Sequence, residues 1–300
     1  MANTIIYQAL WENKLAQRLD FPQNWKEIDD VVYTDAQSYN FPLVSAANEP
    51  AVATLTNTAA GRSDVANVIP FISVTETNQT LTVSIAEIDS VYLDYADQAQ
   101  SNYAKMAEMA TLLGKKMNER AQTVHLANHA NWTDFGDTGG GVLGLASTDI
   151  TPSATNVDDI VRGVIEQIYT AEGFNIYKEN GGFIEWNPAS WTFMTQFMQA
   201  NGFNLADAAL KNGGQIGVDY LGLHHYVSTS HASGGHLMAG VRKVQKFGIL
   251  KSTYGKIFRA EMPASSTAGS LSGTQIHTRL DYGQLVPTNL LPVIFDVNIA

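Results

Sequence analysis

The sequence has no cysteine among its 300 residues, which excludes disulfide bonds and thiolate metal sites. It has no apolar stretch near the ~20 residues that a membrane-spanning helix requires. The apolar run in MANTIIYQALWENKL contains Glu12 and Lys14, a pattern unlike that of a signal peptide. These absences predict a soluble cytoplasmic product.

Charge is scarce and predominantly negative. Charged residues make up 16% of the chain and the formal net charge is −11, which disfavours tight or sequence-specific DNA binding because phosphates require Lys and Arg. An acidic wall can still enclose nucleic acid without holding it. Scarce charge is typical of chains that bury surface against other subunits, but also of some secreted monomers. An apolar content of 45% is typical of a folded protein, and the length fits about two domains or one elaborate domain.

Residues 1–30 are too polar to form a core alone. Trp11, Phe21 and Trp25 are their main apolar anchors, and Pro22 interrupts regular structure. Two interpretations remain open. The segment is either the start of an ordinary domain or an arm that packs on a neighbouring chain.

Residues 31–88 predict a long two-stranded hairpin. Runs rich in Val, Ile, Thr and Tyr flank a small, polar loop. In TLTVSIAEI, Leu81, Val83 and Ile85 alternate with smaller residues and share one face. Because isolated hairpins are at best marginally stable, we expect this one to rest on other chains.

A continuous apolar stripe predicts one long helix over about residues 92–126, roughly 50 Å in length. Asp89, Asp94 and Asp97 are expected to favour its positive N-terminal end. The stripe consists of Tyr92, Tyr95, Ala99, Tyr103, Met106, Ala110, Leu113, Met117, Ala121 and Val124.

The second half mixes helices and strands, which predicts an α+β fold. A helix is expected from near Asn156, with a stripe that includes Ile160 and Val164 and with Gly173 as its stop. FIEW predicts a strand, and NPASWTFMTQFMQANG predicts a helix capped by Asn187. A short helix in NLADAALKNGG is followed by strands in IGVDYLGLHHYVSTS, HLMAGVRKVQKF and GQLVPTNLLPVIFDVNIA.

The motifs of common enzymes lack their structural context. A G-x-G-x-x-G pattern occurs at Gly139, Gly141 and Gly144, but it opens no helix, so a mobile loop is the better interpretation than a dinucleotide site. G-x-S-x-G and the P-loop pattern are both absent. We therefore assign no catalytic and no cofactor-binding residue.

Two pairs of histidines are candidate metal ligands. His125 and His129 are four residues apart near the end of the long helix, but no third ligand is evident beside them. His224 and His225 are adjacent in a predicted strand, so their side chains point to opposite faces and cannot share one ion. We assign no metal ligand and expect structural roles.

Residues 237–260 contain six cations and no acid. This stretch is either a solvated strand face or a patch that meets a polyanion or the acidic surface of a neighbouring subunit, and we favour the neighbouring subunit. The six are Arg242, Lys243, Lys246, Lys251, Lys256 and Arg259.

Several segments together resemble one family. They are AEIDSVYLDYADQAQSNYAKMAEMATLLGKKMNERA, NPASWTFMTQFMQANG, GGQIGVDYLGLHHYVSTS and DYGQLVPTNLLPVIFDV. In this order they are similar to the major capsid proteins of tailed bacteriophages, which have the Hong Kong 97-type fold. The resemblance covers most of residues 30–300.

The resemblance implies a domain plan. Residues 1–30 would be the N-terminal arm, 31–88 the E-loop and its flanking strands, and 89–144 the P-domain with its spine helix. Residues 145–236 would be the A-domain, and 237–300 return strands that belong mainly to the P-domain.

The resemblance also implies function. The chain would be a structural protein, not an enzyme, which assembles as hexamers and pentamers into an icosahedral head. The head would form in the host cytoplasm and enclose double-stranded DNA without reading its sequence. The other expected partners are a portal protein and, in some heads, a decoration protein. An encapsulin-like nanocompartment shell is an alternative, and a metal- or nucleotide-dependent enzyme is a second.

Two departures from the family pattern add expectations. Residues 31–88 contain Arg62 but no lysine, so we expect no isopeptide cross-link of the kind that joins the subunits of the fold's namesake. About 30 residues precede the E-loop, which leaves no room for a cleavable scaffolding domain, so a separate scaffolding protein is expected.

Overall fold

The computed structural model describes residues 23–44, 76–94, 105–200, 218–230, 235–262 and 273–300. The helices in these ranges are α1 (Trp25–Ile28), α2 (Lys105–Leu126), α3 (Val157–Thr170), α4 (Phe174–Asn180) and α5 (Pro188–Ala200). The strands are β1 (Asp30–Thr34), β2 (Ser38–Val44), β3 (Glu76–Thr82), β4 (Ile85–Asp94), β5 (Thr133–Gly139), β6 (Val142–Gly144), β7 (Gly182–Trp186), β8 (Val218–Tyr220), β9 (Leu223–Val227), β10 (His236–Val241), β11 (Lys246–Leu250), β12 (Ile257–Met262), β13 (Gly273–Leu285) and β14 (Ile294–Asn298).

A five-stranded sheet supports the long helix α2. In this sheet β1 pairs in parallel with β11, and the long strand β13 pairs antiparallel with β11, β12 and β4. The apolar stripe of α2 lies on the sheet, where Met117 and Val124 are buried together with Phe247 and Leu280. The rings of Phe247 and Tyr282 stack with their centroids 5.7 Å apart. Burial of this stripe, more than helix propensity, stabilises α2.

A seven-stranded mixed sheet forms the second layer, in the order β6-β5-β14-β10-β7-β9-β8. Helices α3 and α5 belong to its core, because Ile160, Val164 and Met194 are completely buried in the same cluster as Phe183 and Phe295. All five residues of β7 and of β14 are buried. Both strands are mainly apolar, as expected of strands that are enclosed on both faces, but Glu185 in β7 and Asp296 in β14 are buried acids.

Strands β2 and β3 form a separate two-stranded ribbon. Its base rests on the five-stranded sheet, where Leu81 is completely buried and Gly248 leaves room for the Leu81 side chain. At the edge, Gln79 Nε2 donates to Thr288 Oγ1 at 2.6 Å. The predicted hairpin is therefore present only in part, because residues 31–34 lie in β1 and residues 85–88 lie in β4, two strands of the five-stranded sheet. The described part of the ribbon packs on its own chain. The loop expected between the strands, residues 45–75, lies outside the described residues.

The long helix differs from its prediction at the N-terminal end. It ends at Leu126 as expected, but Tyr92 lies in strand β4, and the stripe positions from Tyr95 to Tyr103 lie outside the described residues. The expected role of Asp89 and Asp94 at the helix start is wrong, because both belong to β4. Asp89 instead forms a salt bridge with Lys116 of α2, with Nζ and Oδ2 2.9 Å apart. Leu81 and Val83 are buried on one face as expected, but Ile85 does not continue this buried face, because it is 47% exposed.

The predictions in the second half are largely confirmed. Helix α3 begins after Asn156, FIEW lies in β7, and the backbone N–H of Ser190 donates to Oδ1 of the capping Asn187 at 2.7 Å. Gly173 marks the start of α4, which the sequence did not predict, while α3 already ends at Thr170. The short helix expected in NLADAALKNGG lies outside the described residues.

The chain crosses between the two sheets several times. Residues 24–30, at the end of the predicted arm, pack on the folded body of the chain, where Trp25 and Asp29 are completely buried. Strands β5 and β6 belong to the seven-stranded sheet, as do β10 and β14. Strands β11, β12 and β13 belong to the five-stranded sheet. No helix in the described ranges is long and apolar enough to cross a membrane.

Candidate functional site

A buried polar network lies where the two sheets meet, and we call it the junction network. At its centre, Nδ1 of His125 in α2 is 2.7 Å from Oδ2 of Asp29, which follows α1. Nε2 of the same ring is 3.3 Å from Oε2 of Glu185 in β7. All three side chains are fully buried. The imidazole ring thus bridges two carboxylates that come from different parts of the fold.

Three amide side chains complete the junction network. Gln122 and Asn24 each donate an N–H to Oε1 of Glu185, at 2.8 Å and 2.9 Å. Gln245, just before β11, donates to both oxygens of Asp29 at 3.3 Å. Hydrogen bonds of this kind offset the cost of burying carboxylates away from water. The network therefore stabilises the contact of α1, α2, β7 and β11.

The electrostatics of the junction network favour a protonated imidazole. Burial opposes a charge on His125, but the adjacent carboxylates of Asp29 and Glu185 outweigh it and raise the pKa of His125 to about 10. Burial raises the pKa of Asp29, and the neighbouring His125 partly reverses this change. A cation between two acids, enclosed on all sides, holds structure together and has no access to a substrate.

A second cluster of ionisable groups lies on the seven-stranded sheet. Asp296 of β14 is 2% exposed, and its carboxylate contacts His236 of β10 and His129 of the short 3-10 helix Ala127–Asn131. The two imidazole rings stack with their centroids 3.9 Å apart. His125 and His129, four residues apart in the sequence, therefore belong to different clusters.

The pair His224 and His225 is arranged as predicted, on opposite faces of β9. His225 is buried, and its Nδ1 accepts a hydrogen bond from Trp186 Nε1 at 2.8 Å. His224 is partly exposed and lies against Tyr226, with ring centroids 4.7 Å apart. Neither arrangement brings the two rings to one ion.

The glycine motif forms a turn, which agrees with the rejection of a dinucleotide site but not with a mobile loop. Gly139, Gly140 and Gly141 all have positive φ and connect β5 to β6 in a tight hairpin. The carboxylate of Asp137 accepts hydrogen bonds from the backbone N–H groups of Gly139 and Gly141, at 2.7 Å and 3.2 Å. These N–H groups, which a phosphate would need, are already occupied.

Much of the predicted basic stretch has partners within its own chain. Lys243 Nζ donates to the carbonyl oxygens of Lys26 and Asp29, at 2.9 Å and 2.8 Å. Arg242 Nε donates to the carbonyl oxygen of Asn180 at 3.0 Å, and Lys246 forms a salt bridge with Asp30. These three cations thus contact carbonyl oxygens or a carboxylate of their own chain, and pairing of the stretch with a neighbouring subunit stays a prediction.

The acids of both clusters were missed by sequence reasoning. Glu185 occurs within FIEW and Asp296 within VIFDV, where each interrupts an apolar strand. A carboxylate in a buried strand must be paired, and this was the available signal. Glu185 lies 60 residues from His125, and Asp296 lies 60 residues from His236 and 167 residues from His129, so spacing could not identify these partners.

The outer face of β4 exposes apolar side chains. Glu87, Asp89 and Val91 face α2, so the alternate residues of the strand point away from the helix. Among them Ile88 is 60% exposed and Tyr92 is 41% exposed. Ser90 lies between these two residues on the same face, so the exposed apolar surface consists of two separate large side chains.

Comparison with sequences identifies no relative. No protein-family model matches the chain, and no curated protein matches it. Comparison with solved structures, by contrast, finds similar folds over nearly the full length.

The structural matches come from phages and related particles. A chain from Mycobacterium phage Che8 has a TM-score of 0.67 at 13% identity, and the match covers 99% of this chain and 98% of that chain. A chain from the capsid of a native GTA particle has a TM-score of 0.66 at 11% identity, with coverage of 99% and 96%. A chain from the capsid of Cyanophage P-SCSP1u has a TM-score of 0.62 at 12% identity, with coverage of 98% and 93%. The predicted Hong Kong 97-type α+β fold is confirmed.

Proposed function

We propose that this chain is a major capsid protein of a tailed phage or of a similar particle, and that its copies form the icosahedral wall of a head. The match to the chain from the capsid of the native GTA particle carries this proposal, because it leaves almost none of either chain outside the shared fold. The matching chain from Cyanophage P-SCSP1u also belongs to a capsid. In this function the protein is a component of the virion and has no catalytic site.

Charge and surface chemistry support the proposed wall. A net charge of −11 suits a shell that encloses DNA without sequence-specific contact. The exposed ribbon of β2 and β3 and the apolar outer face of β4 supply surfaces for neighbouring copies. Hexamers and pentamers of the chain would repeat such contacts by symmetry. A separate scaffolding protein, a portal protein and a decoration protein are the further partners in this proposal.

The two sheets suggest a revised domain plan. The five-stranded sheet with α2 corresponds to the proposed P-domain, and the seven-stranded sheet with α3 and α5 to the proposed A-domain. Residues 133–144 and the strands β10 and β14 then belong to the A-domain, because they pair within its sheet. The E-loop is the ribbon of β2 and β3 together with the residues between them.

Electron microscopy of the expressed chain tests this function. The chain is produced alone and together with the products of its neighbouring genes, and the particles are imaged in negative stain. We expect closed icosahedral shells or ring-shaped capsomers. A matched variant replaces residues 45–75 with a short Gly-Ser turn, and we expect it to fold but not to form shells. A chain that stays monomeric at high concentration, with a scaffold present, contradicts the proposal.

A further inference from the structure

Three side chains from separate elements converge on one point of the seven-stranded sheet. Oδ2 of Asp296 lies 2.9 Å from Nδ1 of His236 and 3.1 Å from Nδ1 of His129. Oδ1 of Asp296 is also 3.0 Å from Nδ1 of His236. All three potential ligand atoms lie within 4.8 Å of one another. In the part of the chain that the structure describes, these three side chains are close enough together to hold one metal ion.

The chemistry of the three groups matches a transition-metal ion. Imidazole nitrogen and carboxylate oxygen are ordinary ligands of Zn²⁺, at bond lengths of about 2.0–2.2 Å. In a tetrahedron of that size the ligand atoms are about 3.3 Å apart, close to the two Asp296–imidazole separations. Two imidazoles and one carboxylate also leave one position of the ion for water.

The cluster is open to solvent on one side, where an ion can enter, and it is enclosed on the other, where Asp296 is held in place. The side chains of His129 and His236 are 25% and 31% exposed, whereas that of Asp296 is 3% exposed. The carboxylate is thus fixed at the floor of the cluster, and the imidazoles form its solvent side. The Asp296 carboxylate supplies the negative charge of the cluster at its buried end.

We propose that His129, His236 and Asp296 bind one divalent transition-metal cation of the Zn²⁺ type. The two rings, stacked at an interplanar angle of 25°, rotate apart so that each directs a nitrogen lone pair at the ion. This motion is confined to two partly exposed side chains. The backbone that carries Asp296 is central in its sheet and does not need to move.

The ion would act as a structural link. His129 belongs to the 3-10 helix directly after α2, while His236 and Asp296 belong to neighbouring strands of the seven-stranded sheet. Binding therefore ties the end of the long helix to the second sheet. Because the ion binds the folded chain in preference to the unfolded chain, it also raises the midpoint of thermal unfolding.

Metal titration of the full-length chain without an affinity tag tests the site. The protein is stripped with a chelator, dialysed and titrated with Zn²⁺ by calorimetry, and Co²⁺ is added separately to record its visible absorption. We expect one Zn²⁺ per chain and the absorption bands of low-coordinate Co²⁺. His236→Gln and Asp296→Asn are expected to weaken binding by more than about 100-fold, since loss of a mere outer-shell partner already costs 10–100-fold.

The matched control is His277→Gln. His277 is also partly exposed, but it stacks on Phe258 and lies outside the cluster. Its variant should bind Zn²⁺ as the wild type does, and circular dichroism should show that all variants are folded. Failure of the wild type to bind Zn²⁺, or equal binding by wild type and His236→Gln, overturns the proposal. Shell formation is scored separately by microscopy, so loss of the metal site leaves the proposed capsid function untouched.

Discussion

Gly283 of β13 lies directly against the carbonyl oxygen of Thr82, at the point where the ribbon of β2 and β3 meets the five-stranded sheet. A β-carbon at position 283 would overlap that oxygen, and the obstacle is backbone that cannot rotate away. The base of the ribbon is therefore fitted to a surface without a side chain.

Gly283→Ala is expected to lower the free energy of unfolding by about 1–3 kcal/mol, because the added methyl group must push the two strands apart. Gly114→Ala is the matched control, since Gly114 lies within α2 and has open space around its β-position. This second change should stabilise the chain by up to ~1 kcal/mol through helix propensity. Thermal and urea unfolding measure the change in the free energy of unfolding for both variants. If Gly283→Ala also stabilised the chain, position 283 would have room for a side chain and the close contact with Thr82 would be contradicted.

The junction network predicts that stability falls as pH rises. The pKa of His125 is about 10 in the folded chain and near 6.5 when unfolded, so the folded state holds an additional proton between these values. Its stabilising contribution is complete below about pH 6.5 and is lost as pH approaches about 10. Denaturant unfolding across pH 6–10 measures this slope.

His125→Gln is the control for that slope. The variant should be less stable at neutral pH, but its stability should decline less steeply between pH 6.5 and 10. The difference between the two slopes reports the proton of His125 together with the acids that contact it. If the free energy of unfolding depends on pH in the same way for wild type and variant, the imidazole holds no additional proton in the folded state.

Removal of one acid from the junction network is expected to be costly. Asp29→Asn preserves shape but leaves the buried His125 with one carboxylate fewer, and breaking a buried ion pair in this way costs about 3–5 kcal/mol. The double variant Asp29→Asn with His125→Gln should be destabilised by less than the sum of the two single changes. Additive free energies, measured by urea unfolding, would mean that the two residues do not interact.

The outer face of β4 is expected to matter for assembly and not for folding. Ile88→Lys places a charge where a neighbouring copy would cover an apolar side chain, so shells should fail to form while the unfolding midpoint stays nearly unchanged. Val142→Lys is the matched control, because Val142 is similarly exposed, at 63%, on the distant hairpin of β5 and β6. Sedimentation and microscopy distinguish the variants. If Ile88→Lys forms normal shells, the outer face of β4 does not contact a neighbouring copy in the shell.

Local patterns in the sequence predicted the helices that bury one stripe. Val157, Ile160 and Val164 recur at helical spacing, and Asn187 with Pro188 marks a helix start, so α3 and α5 follow from neighbouring residues alone. The long helix was extended too far because Tyr92 fits its stripe, although tyrosine also favours strands. Pairing of β4 with β13, which lies about 190 residues away, decides between the two.

The polar clusters depend on contacts that no local pattern contains. Asp29, His125 and Glu185 come from three distant segments, and no local pattern shows that the three side chains meet. Only the sheet order brings them together. The same holds for His129, His236 and Asp296, of which the sequence marked His129 as a candidate and left its partners unidentified.

The position of β14 has a consequence for synthesis. This strand lies between β5 and β10, so the middle of the seven-stranded sheet stays vacant until residues 294–298 have left the ribosome. Likewise, β1 near the start of the chain finds its parallel partner only when β11 is made. A polypeptide terminated before Ile294 cannot close its second layer, and its open strand edges invite aggregation. Incomplete translation products are thereby kept from adopting the native subunit shape.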